Sequence, residues 1–379
     1  MRIRRLSFSA FGLAALTLPL VLGTQVSSAT SPTVHAVVSH LNNPRGLAID
    51  GAGHVWIAEA GAGGTHCQGT GGNATCVGLT ASVSMVDHGA LTRVVRGLIS
   101  VGGEGGVASI GVSSVATANG QIRALLGESG FAVPTSGFPR NLLNAARAQL
   151  GQLITVKPSG AWTTLSAVGN HDFIWTKNHA FLQPDQFPDA NPNAVALVDG
   201  RTFVADAGAN LLAEVSNRGG VKTLQYFQVP SGSPSDAVAT CVAEGPDGAL
   251  YVGELLGGTF APGGARVWRV DVSGGSVHAT VWKRGFTTIQ GCGFDKWGNF
   301  YATEFQTGGL NFGPTASPLG DVVKVAPNGT RTHLGVGQLF WPSGFAAGSD
   351  GSIYVSNCSI APGAGFGPCP MGGQLVRIS

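Results

Sequence analysis

The chain has 379 residues, of which 59 are glycine and 20 are proline; hydrophobic residues make up 43% of it and charged residues 11%, and its formal net charge is +2. This apolar content excludes a disordered chain, and the glycines follow no every-third-residue period, which excludes a collagen-like helix. A folded chain with many turns and few long helices remains.

Residues 1–29 have the pattern of a secretory signal peptide. Three arginines precede an apolar segment over 6–23, and the small residues at 27–29 suit a cleavage site. The apolar segment is short for a transmembrane helix, and no second one follows. We therefore predict a signal peptide over 1–29 and one domain over 30–379, in a secreted or extracytoplasmic protein without a transmembrane anchor after cleavage.

Cleavage of this leader would change the charge balance. It would remove three of the 22 Lys and Arg residues and none of the 20 Asp and Glu residues. The mature chain would be slightly acidic, and no run of basic residues remains to suit a phosphate backbone or an anionic lipid surface. Nucleic acid is therefore not an expected partner.

Six cysteines in an exported chain are typical of disulfides. The candidate pairs are Cys67–Cys76, Cys358–Cys369 and Cys241–Cys292. The first two flank Gly-rich loops of about ten residues, and the third can form only if the two strands are neighbours. A metal cluster is the alternative, but the chain has no C-x-x-C spacing to support it.

A turn residue and a glycine precede a short apolar strand six times along the chain. These strands cover 55–57, 122–125, 203–204, 250–252, 300–302 and 353–355. Another apolar strand comes before most of the turns. Such a pattern predicts β-hairpins, and Asn-Gly or Asp-Gly favours a type I′ turn because both central residues need positive φ. Second hairpins turn at 88–89, 159–160, 219–220, 274–275 and 328–329.

The sixth unit lacks a last strand, because the chain ends at 374–378, whereas an unpaired strand over 34–38 precedes the first unit. A ring in which the N-terminal strand completes the last unit leaves no open edge, and units of about 50 residues plus insertions suit propeller blades. We predict an all-β fold, a six-bladed β-propeller with the N-terminal strand closing the last blade. A β-sandwich or two separate β domains is the alternative. Five or seven blades stay open, because the second unit matches the repeat least well.

The long insertions all fall on the rim opposite the tight hairpin turns. They cover 60–82, 127–151, 255–265, 305–319 and 358–373, and the inter-blade segment 168–193 joins them. The spacing of Ala, Arg and Leu over 141–150 predicts the one short helix. Elaborated loops on one face of a rigid scaffold commonly carry function.

A polar residue recurs six positions after five of the six first-hairpin glycines. The candidate ligand or metal residues are Glu59, Asp206, Glu254, Glu304 and Asn357, and the second unit departs with Leu126. One hypothesis is a site for a polar ligand or a cation, with Ca²⁺ as the candidate because hard cations take several oxygen ligands. The hypothesis that we favour is structural: each side chain accepts hydrogen bonds from loop N–H groups, a role repeated because the blade repeats.

His171 and Asp172 form a second set of candidates, within the inter-blade insertion and among aromatic residues. A catalytic His–Asp pair is one interpretation, and a polar and aromatic packing segment is the favoured one. No G-x-S-x-G follows a strand and precedes a helix, and the Gly-rich stretch 102–106 lacks the Lys-Ser/Thr of a phosphate loop.

Three segments resemble the ScyD/ScyE family. They are Asn-Pro-Arg-Gly-Leu-Ala-Ile at 43–49 with the strand that follows to 61, Thr-Phe-Val-Ala-Asp-Ala-Gly-Ala-Asn at 202–210, and Gly-Pro-Asp-Gly-Ala-Leu-Tyr-Val-Gly-Glu-Leu at 245–255. Their order and spacing match the family across nearly the whole mature chain. The resemblance implies an exported bacterial β-propeller akin to NHL-type repeats, and it supplies no catalytic residues.

Two functional classes remain open. The first is a non-catalytic binding or scaffold propeller whose loop-rich rim recognises an unknown protein, glycan or small molecule. The alternative is a metal-dependent enzyme, by fold-level analogy with lactonase and lyase propellers, in which an acidic ring at the channel mouth holds the metal. The sequence leaves it uncertain whether the chain is an enzyme.

Overall fold

The computed structural model describes residues 32–228, 236–258, 260–311 and 316–379, so the predicted signal peptide lies outside the described residues. In chain order the strands are β1 (Val34–Leu41), β2 (Pro44–Ile49), β3 (Val55–Glu59), β4 (His66–Gln68), β5 (Thr75–Asp87), β6 (Ala90–Gly102), β7 (Val112–Ala118), β8 (Gln121–Leu126), β9 (Leu153–Val156), β10 (Trp162–Ser166), β11 (Pro192–Val198), β12 (Arg201–Asp206), β13 (Leu211–Val215), β14 (Val221–Tyr226), β15 (Ala239–Glu244), β16 (Leu250–Glu254), β17 (Ala265–Asp271), β18 (His278–Phe286), β19 (Ile289–Phe294), β20 (Phe300–Glu304), β21 (Leu319–Val325), β22 (Arg331–Phe340), β23 (Phe345–Ala347), β24 (Ile353–Asn357) and β25 (Gly373–Ile378). Two α-helices, α1 (Arg140–Gln149) and α2 (Val168–Asn178), lie between strands β8 and β11.

The strands form six antiparallel sheets, which are the blades of a propeller. Their orders are β2-β3-β5-β6 with β4 added to β5, β7-β8-β9-β10, β11-β12-β13-β14, β15-β16-β17-β18, β19-β20-β21-β22 and β23-β24-β25-β1. The innermost strands β2, β7, β11, β15, β19 and β23 contact one another in sequence, and β23 contacts β2. The ring is therefore closed, and the predicted six-bladed propeller is confirmed.

Strand β1 closes the ring. It pairs antiparallel with β25, with Val34 opposite Ile378 and Ala36 opposite Val376. Beyond the strand ends, the Thr33 amide donates to the Ser379 carbonyl at 2.9 Å. The prediction that the N-terminal strand completes the last blade is confirmed.

The blades are held together by apolar side chains at their interfaces. Between the fourth and fifth blades, for example, Val267 packs in one buried cluster with Phe300 and Val323. Burying such side chains stabilises the fold by roughly 1.5–3 kcal/mol each. The rigid ring that results holds the insertions on one rim.

The hairpin turns are of two kinds. Asn119 (φ 51°) and Asp199 (φ 49°) both precede a glycine that also has positive φ, as a type I′ turn requires. The other four first hairpins have positive φ only at the glycine. In the first of them Gly53 N donates to Asp50 O at 3.0 Å, which closes a longer turn.

The type I′ turn favoured by Asp-Gly is wrong at Asp247-Gly248 and Asp350-Gly351, where the aspartate side chain accepts an N–H two residues later. Ala249 N donates to Asp247 Oδ1 at 3.3 Å, and Ser352 N donates to Asp350 Oδ1 at 2.9 Å.

Helix α1 confirms the helix predicted over 141–150, and it buries Leu142, Leu143 and Ala146. Helix α2 shows that the expectation of a single helix is wrong. Its buried residues include Gly169, Asp172 and Thr176 beside Val168, so it lacks the apolar stripe that sequence periodicity detects. No helix in the described part of the chain is long and apolar enough to span a membrane.

All three predicted disulfides are present, namely Cys67–Cys76, Cys241–Cys292 and Cys358–Cys369. The bond between Cys241 on β15 and Cys292 on β19 joins the inner strands of two neighbouring blades. The two strands are therefore neighbours, as this pairing requires.

Candidate functional site

Each of the five repeated polar residues is the last residue of the second strand of its blade. Strands β3, β12, β16, β20 and β24 end at Glu59, Asp206, Glu254, Glu304 and Asn357. All five side chains are buried. They lie where the insertions begin, one per blade, except in the second blade, where β8 ends at Leu126.

Four of these side chains accept a backbone N–H from the segment that leads into the first strand of the same blade. The donor–acceptor pairs are Asn42 N–Glu59 Oε2 at 2.7 Å, Asn191 N–Asp206 Oδ1 at 2.8 Å, Thr287 N–Glu304 Oε1 at 2.8 Å and Phe340 N–Asn357 Oδ1 at 2.7 Å. Each bond ties an inter-blade connection to its blade and satisfies a backbone donor that the fold would otherwise leave without a partner.

Glu59 and Glu254 are in addition neutralised by arginines. Arg266 donates to Glu254 through Nε and a terminal nitrogen, both at 2.8 Å, and Trp268 Nε1 donates to the same carboxylate at 2.6 Å. Arg93 binds both oxygens of Glu59 at 3.0 Å. Such bidentate pairs occupy the lone pairs that a cation would need.

The donor set therefore does not fit Ca²⁺, which takes six to eight oxygen ligands. The oxygens of Glu59 and Glu254 are taken by N–H donors, and Asn357 bonds Phe340 and Gln374. Among residues 32–379, outside the gaps given above, no group of three or more His, Cys, Asp or Glu is arranged to hold a metal ion.

Asp206 and Asp172, which belong to different candidate sets, meet in the structure. Asp206 comes from β12 and Asp172 from α2, and both side chains are fully buried. Burial first, and then each other's proximity, raise the pKa of Asp206 well above its ordinary value, and burial raises the pKa of Asp172 to about 7. Two buried carboxyls in contact cannot both ionise readily, so the pair retains a proton.

His171 lies next to this pair at the surface. Its Nδ1 is 2.9 Å from Asp172 Oδ1, and burial lowers its pKa, which favours the neutral ring. The aromatic residues that follow pack together: the rings of Trp175 and His179 stack at 4.0 Å, and Trp175 contacts Tyr226 of β14. Helix α2 is thus anchored to the third blade through this aromatic cluster.

The central channel is narrow, with a cavity of ≈ 70 Å³ lined by the inner strands of all six blades. Its mouth on the insertion-bearing rim holds a second cavity of ≈ 160 Å³. The polar side chains that line this mouth are Arg45, Ser109, Ser113, Asn191, Asn193 and Gln290. No carboxylate of the described residues lines the mouth.

Arg45 is the one charged side chain at the mouth among the described residues. It is half-buried and donates to the Ser109 carbonyl at 3.0 Å. No carboxylate in the described ranges lies within ion-pair distance of it. Burial lowers the pKa of Arg45 to about 10, so the group remains cationic at neutral pH. A partly desolvated cation without a counter-ion is costly, which favours an anion beside it.

Asn43 positions this arginine. Its side chain is fully buried and donates to the carbonyls of Gly61 at 2.7 Å and Gly106 at 2.8 Å, and it accepts from the Ser109 amide at 3.2 Å. Asn43 adopts positive φ (50°), a conformation that asparagine tolerates better than most residues. The loops that form the mouth are therefore held around the start of β2, where Arg45 lies.

Sequence reasoning missed Arg45, Asn193 and Gln290 as a set. Each stands near the start of an inner strand, so the repeat itself brings them to one end of the channel. Comparing the same position of each first strand, rather than of each second strand, is the signal that could have found them.

Comparison with known proteins supports the fold. No protein-family model and no curated protein matches this sequence. Among solved structures, a gluconolactonase from Xanthomonas campestris is 10% identical with a TM-score of 0.54, covering 92% of this chain and 89% of its own. A luciferin-regenerating enzyme is 11% identical with a TM-score of 0.51, covering 92% and 95%. A protein from Thermus thermophilus described as a glucose dehydrogenase-type oxidoreductase is 14% identical with a TM-score of 0.52, covering 92% and 100%. At these identities the likeness shows a shared fold alone.

Proposed function

We propose that this chain is an exported binding propeller that takes an anionic ligand at the mouth of its central channel. The observation that carries the proposal is the cationic Arg45, which faces the mouth cavity without a carboxylate partner in the described part of the chain. A guanidinium presents five N–H donors and matches a carboxylate or phosphate in two parallel hydrogen bonds.

The neighbours of Arg45 support this ligand class. The Gln290 amide lines the mouth and forms no hydrogen bond with the described residues, so its N–H donors are available. Asn193 is already engaged, because its Nδ2 donates to the Thr240 carbonyl at 2.7 Å. A small anion would thus be held by charge and by neutral donors, as in many specific small-molecule sites.

Export and family membership belong to the same proposal. Three disulfides suit an oxidising compartment outside the cytoplasm, and the N-terminal leader pattern agrees with it. The ScyD/ScyE family, which the sequence resembles, consists of exported β-propellers. On this view the chain is a non-catalytic propeller of ScyD/ScyE type with a ligand site on its loop-rich rim.

Calorimetric titration of residues 30–379 with citrate, phosphate and acetate tests the proposal. We expect saturable one-to-one binding of at least one anion, weakened about tenfold or more in Arg45→Gln, because charged hydrogen bonds contribute about 1.5–3 kcal/mol. Arg140→Gln is the matched control: it removes an exposed arginine from the same rim and should leave affinity unchanged. Equal affinity of Arg45→Gln and the unaltered chain would refute the proposal.

The metal-dependent enzyme remains the second candidate because of one local feature. Glu304 and Asp321 are cross-strand partners on β20 and β21, and Asp321 Oδ1 has no hydrogen-bond partner in the described part of the chain. Burial, and then Asp321, raise the pKa of Glu304 to about 7. A divalent cation would compensate the negative charge of these two carboxylates, although the two groups alone supply too few oxygens for Ca²⁺.

A calcium titration separates the two candidates. If Glu59, Asp206, Glu254, Glu304 and Asn357 are structural, the melting temperature should not change between chelator and millimolar Ca²⁺. A site that binds only the folded state would raise the melting temperature with ligand concentration. A saturable increase that is lost in Glu304→Gln would instead favour the metal-dependent function.

A further inference from the structure

A separate cavity lies under helix α1, on the insertion-bearing rim. It has a volume of ≈ 170 Å³ and lies between the first two blades. Its apolar lining includes Val77 of β5, Val101 of β6, Phe138, and Leu143 and Ala146 of α1. A cavity of about 150 Å³ lined by apolar side chains is large enough to hold a benzene-sized molecule.

Glu128 is the one acidic residue that lines this mostly apolar cavity in the described part of the chain, beside the hydroxyl residues Thr75 and Ser129. Its backbone amide donates to Asn191 Oδ1 at 3.2 Å, but its carboxyl group accepts no hydrogen bond from the described residues. Glu128 also has positive φ (63°), which is uncommon for a residue with a long side chain. Glu128 is partly exposed, and residues in strained backbone conformations concentrate at functional sites, so Glu128 calls for a functional explanation.

The electrostatic surroundings of Glu128 favour a cation. Burial, and then the neighbouring carboxyl groups of Asp189 and Asp206, raise the pKa of Glu128 to about 7. No arginine or lysine of the described residues forms an ion pair with it. A positively charged group entering the cavity would compensate a carboxylate that the protein itself leaves uncompensated.

We propose that the cavity under α1 binds a small molecule with an apolar body and one protonated amine, which pairs with the Glu128 carboxylate. The apolar body fills the space beside Phe138 and Leu143, and the ammonium group replaces the missing hydrogen-bond donor. This inference does not depend on the anion site at Arg45, because the two cavities have different charged groups and opposite charge preferences.

Binding of three probes of one shape and different charge tests this proposal: benzylamine, benzyl alcohol and benzoate, each titrated calorimetrically into residues 30–379 at pH 8. We expect benzylamine to bind most tightly and benzoate most weakly. Glu128→Gln should weaken benzylamine about 10- to 100-fold, to the level of benzyl alcohol, because a charge-assisted hydrogen bond is lost. The affinity for benzyl alcohol itself should change little.

Two further variants make the result interpretable. Asp185→Asn removes an exposed carboxylate from the same rim and should leave all three affinities unchanged. Ala146→Leu narrows the cavity and should weaken benzylamine and benzyl alcohol together. The proposal is overturned if folded protein binds none of the probes, if benzoate binds as tightly as benzylamine, or if Glu128→Gln keeps the preference for the amine.

Discussion

At the scale of single residues, side chains of different chemistry perform one structural task at the same position of the repeat. Asn357 performs it with a neutral amide, whereas Glu59 performs it with a carboxylate whose charge Arg93 neutralises. Because a buried ion pair gains little net stability over a neutral group, the repeat tolerates either solution. The task common to most blades is to accept an N–H from the inter-blade connection.

The Asp172–Asp206 pair predicts how stability depends on pH. A carboxyl whose pKa is higher in the folded protein than its ordinary value of 3.8 favours folding at low pH, and this contribution is lost as pH rises toward the folded pKa. In Asp206→Asn a neutral amide replaces the carboxyl group, so this residue no longer needs to retain a proton. Between about pH 4 and 7, the free energy of unfolding of the variant should rise relative to that of the unaltered protein, by up to about 1.4 kcal/mol per pH unit.

Thermal unfolding at pH 5 and pH 8 measures this difference. The advantage of Asp206→Asn should be larger at pH 8. Asp185→Asn changes an exposed residue on the same rim. Its melting temperature should differ from that of the unaltered protein by the same amount at both pH values. A difference for Asp206→Asn that does not vary with pH would show that the pair retains no proton.

At the scale of elements, sequence predicts what repeats locally and misses what depends on distant contacts. The hairpins around Gly120 and Gly200 and helix α1 follow from turn chemistry and apolar spacing. Helix α2 does not, because it is held by the contact of Trp175 with Tyr226 and by contact of its Asp172 with Asp206. The positions of the five repeated polar residues were predictable, but the arginine partners of Glu59 and Glu254 were not.

The Cys241–Cys292 bond should matter more for stability than the bond within an insertion. It closes a loop with a sequence separation of 51, against 9 for Cys67–Cys76. In the chain-entropy model these loops correspond to about 4 and about 2.5 kcal/mol. Chemical denaturation of the two double Cys→Ala variants should therefore rank them in that order. The opposite order would mean that strain or residual structure outweighs loop length.

At the scale of the whole molecule, ring closure follows from a simple count of strands. A strand without a partner at each end of the chain pointed to pairing of β1 with β25, and the structure has it. The polar groups at the channel mouth are harder to predict, because Arg45, Asn193 and Gln290 are far apart in sequence and meet only when the ring closes.

Removing β1 should open the ring. A chain that begins at residue 42 exposes the edge of β25, and we expect a broad unfolding transition and aggregation in place of one cooperative transition. A synthetic peptide of residues 32–41, added in excess, should restore cooperativity. Unchanged cooperative unfolding of the truncated chain would show that the closing strand contributes little.

The proposed function depends on the binding of an anion by Arg45 at the channel mouth. Crystals of residues 30–379 soaked in bromoacetate test it directly, because bromine can be located by its anomalous scattering. We expect a bromine peak in the mouth cavity, with the carboxylate on the Arg45 guanidinium and near the Gln290 amide. A well-diffracting crystal with an open mouth and no bromine there, or with the carboxylate bound elsewhere on the ring, would contradict it.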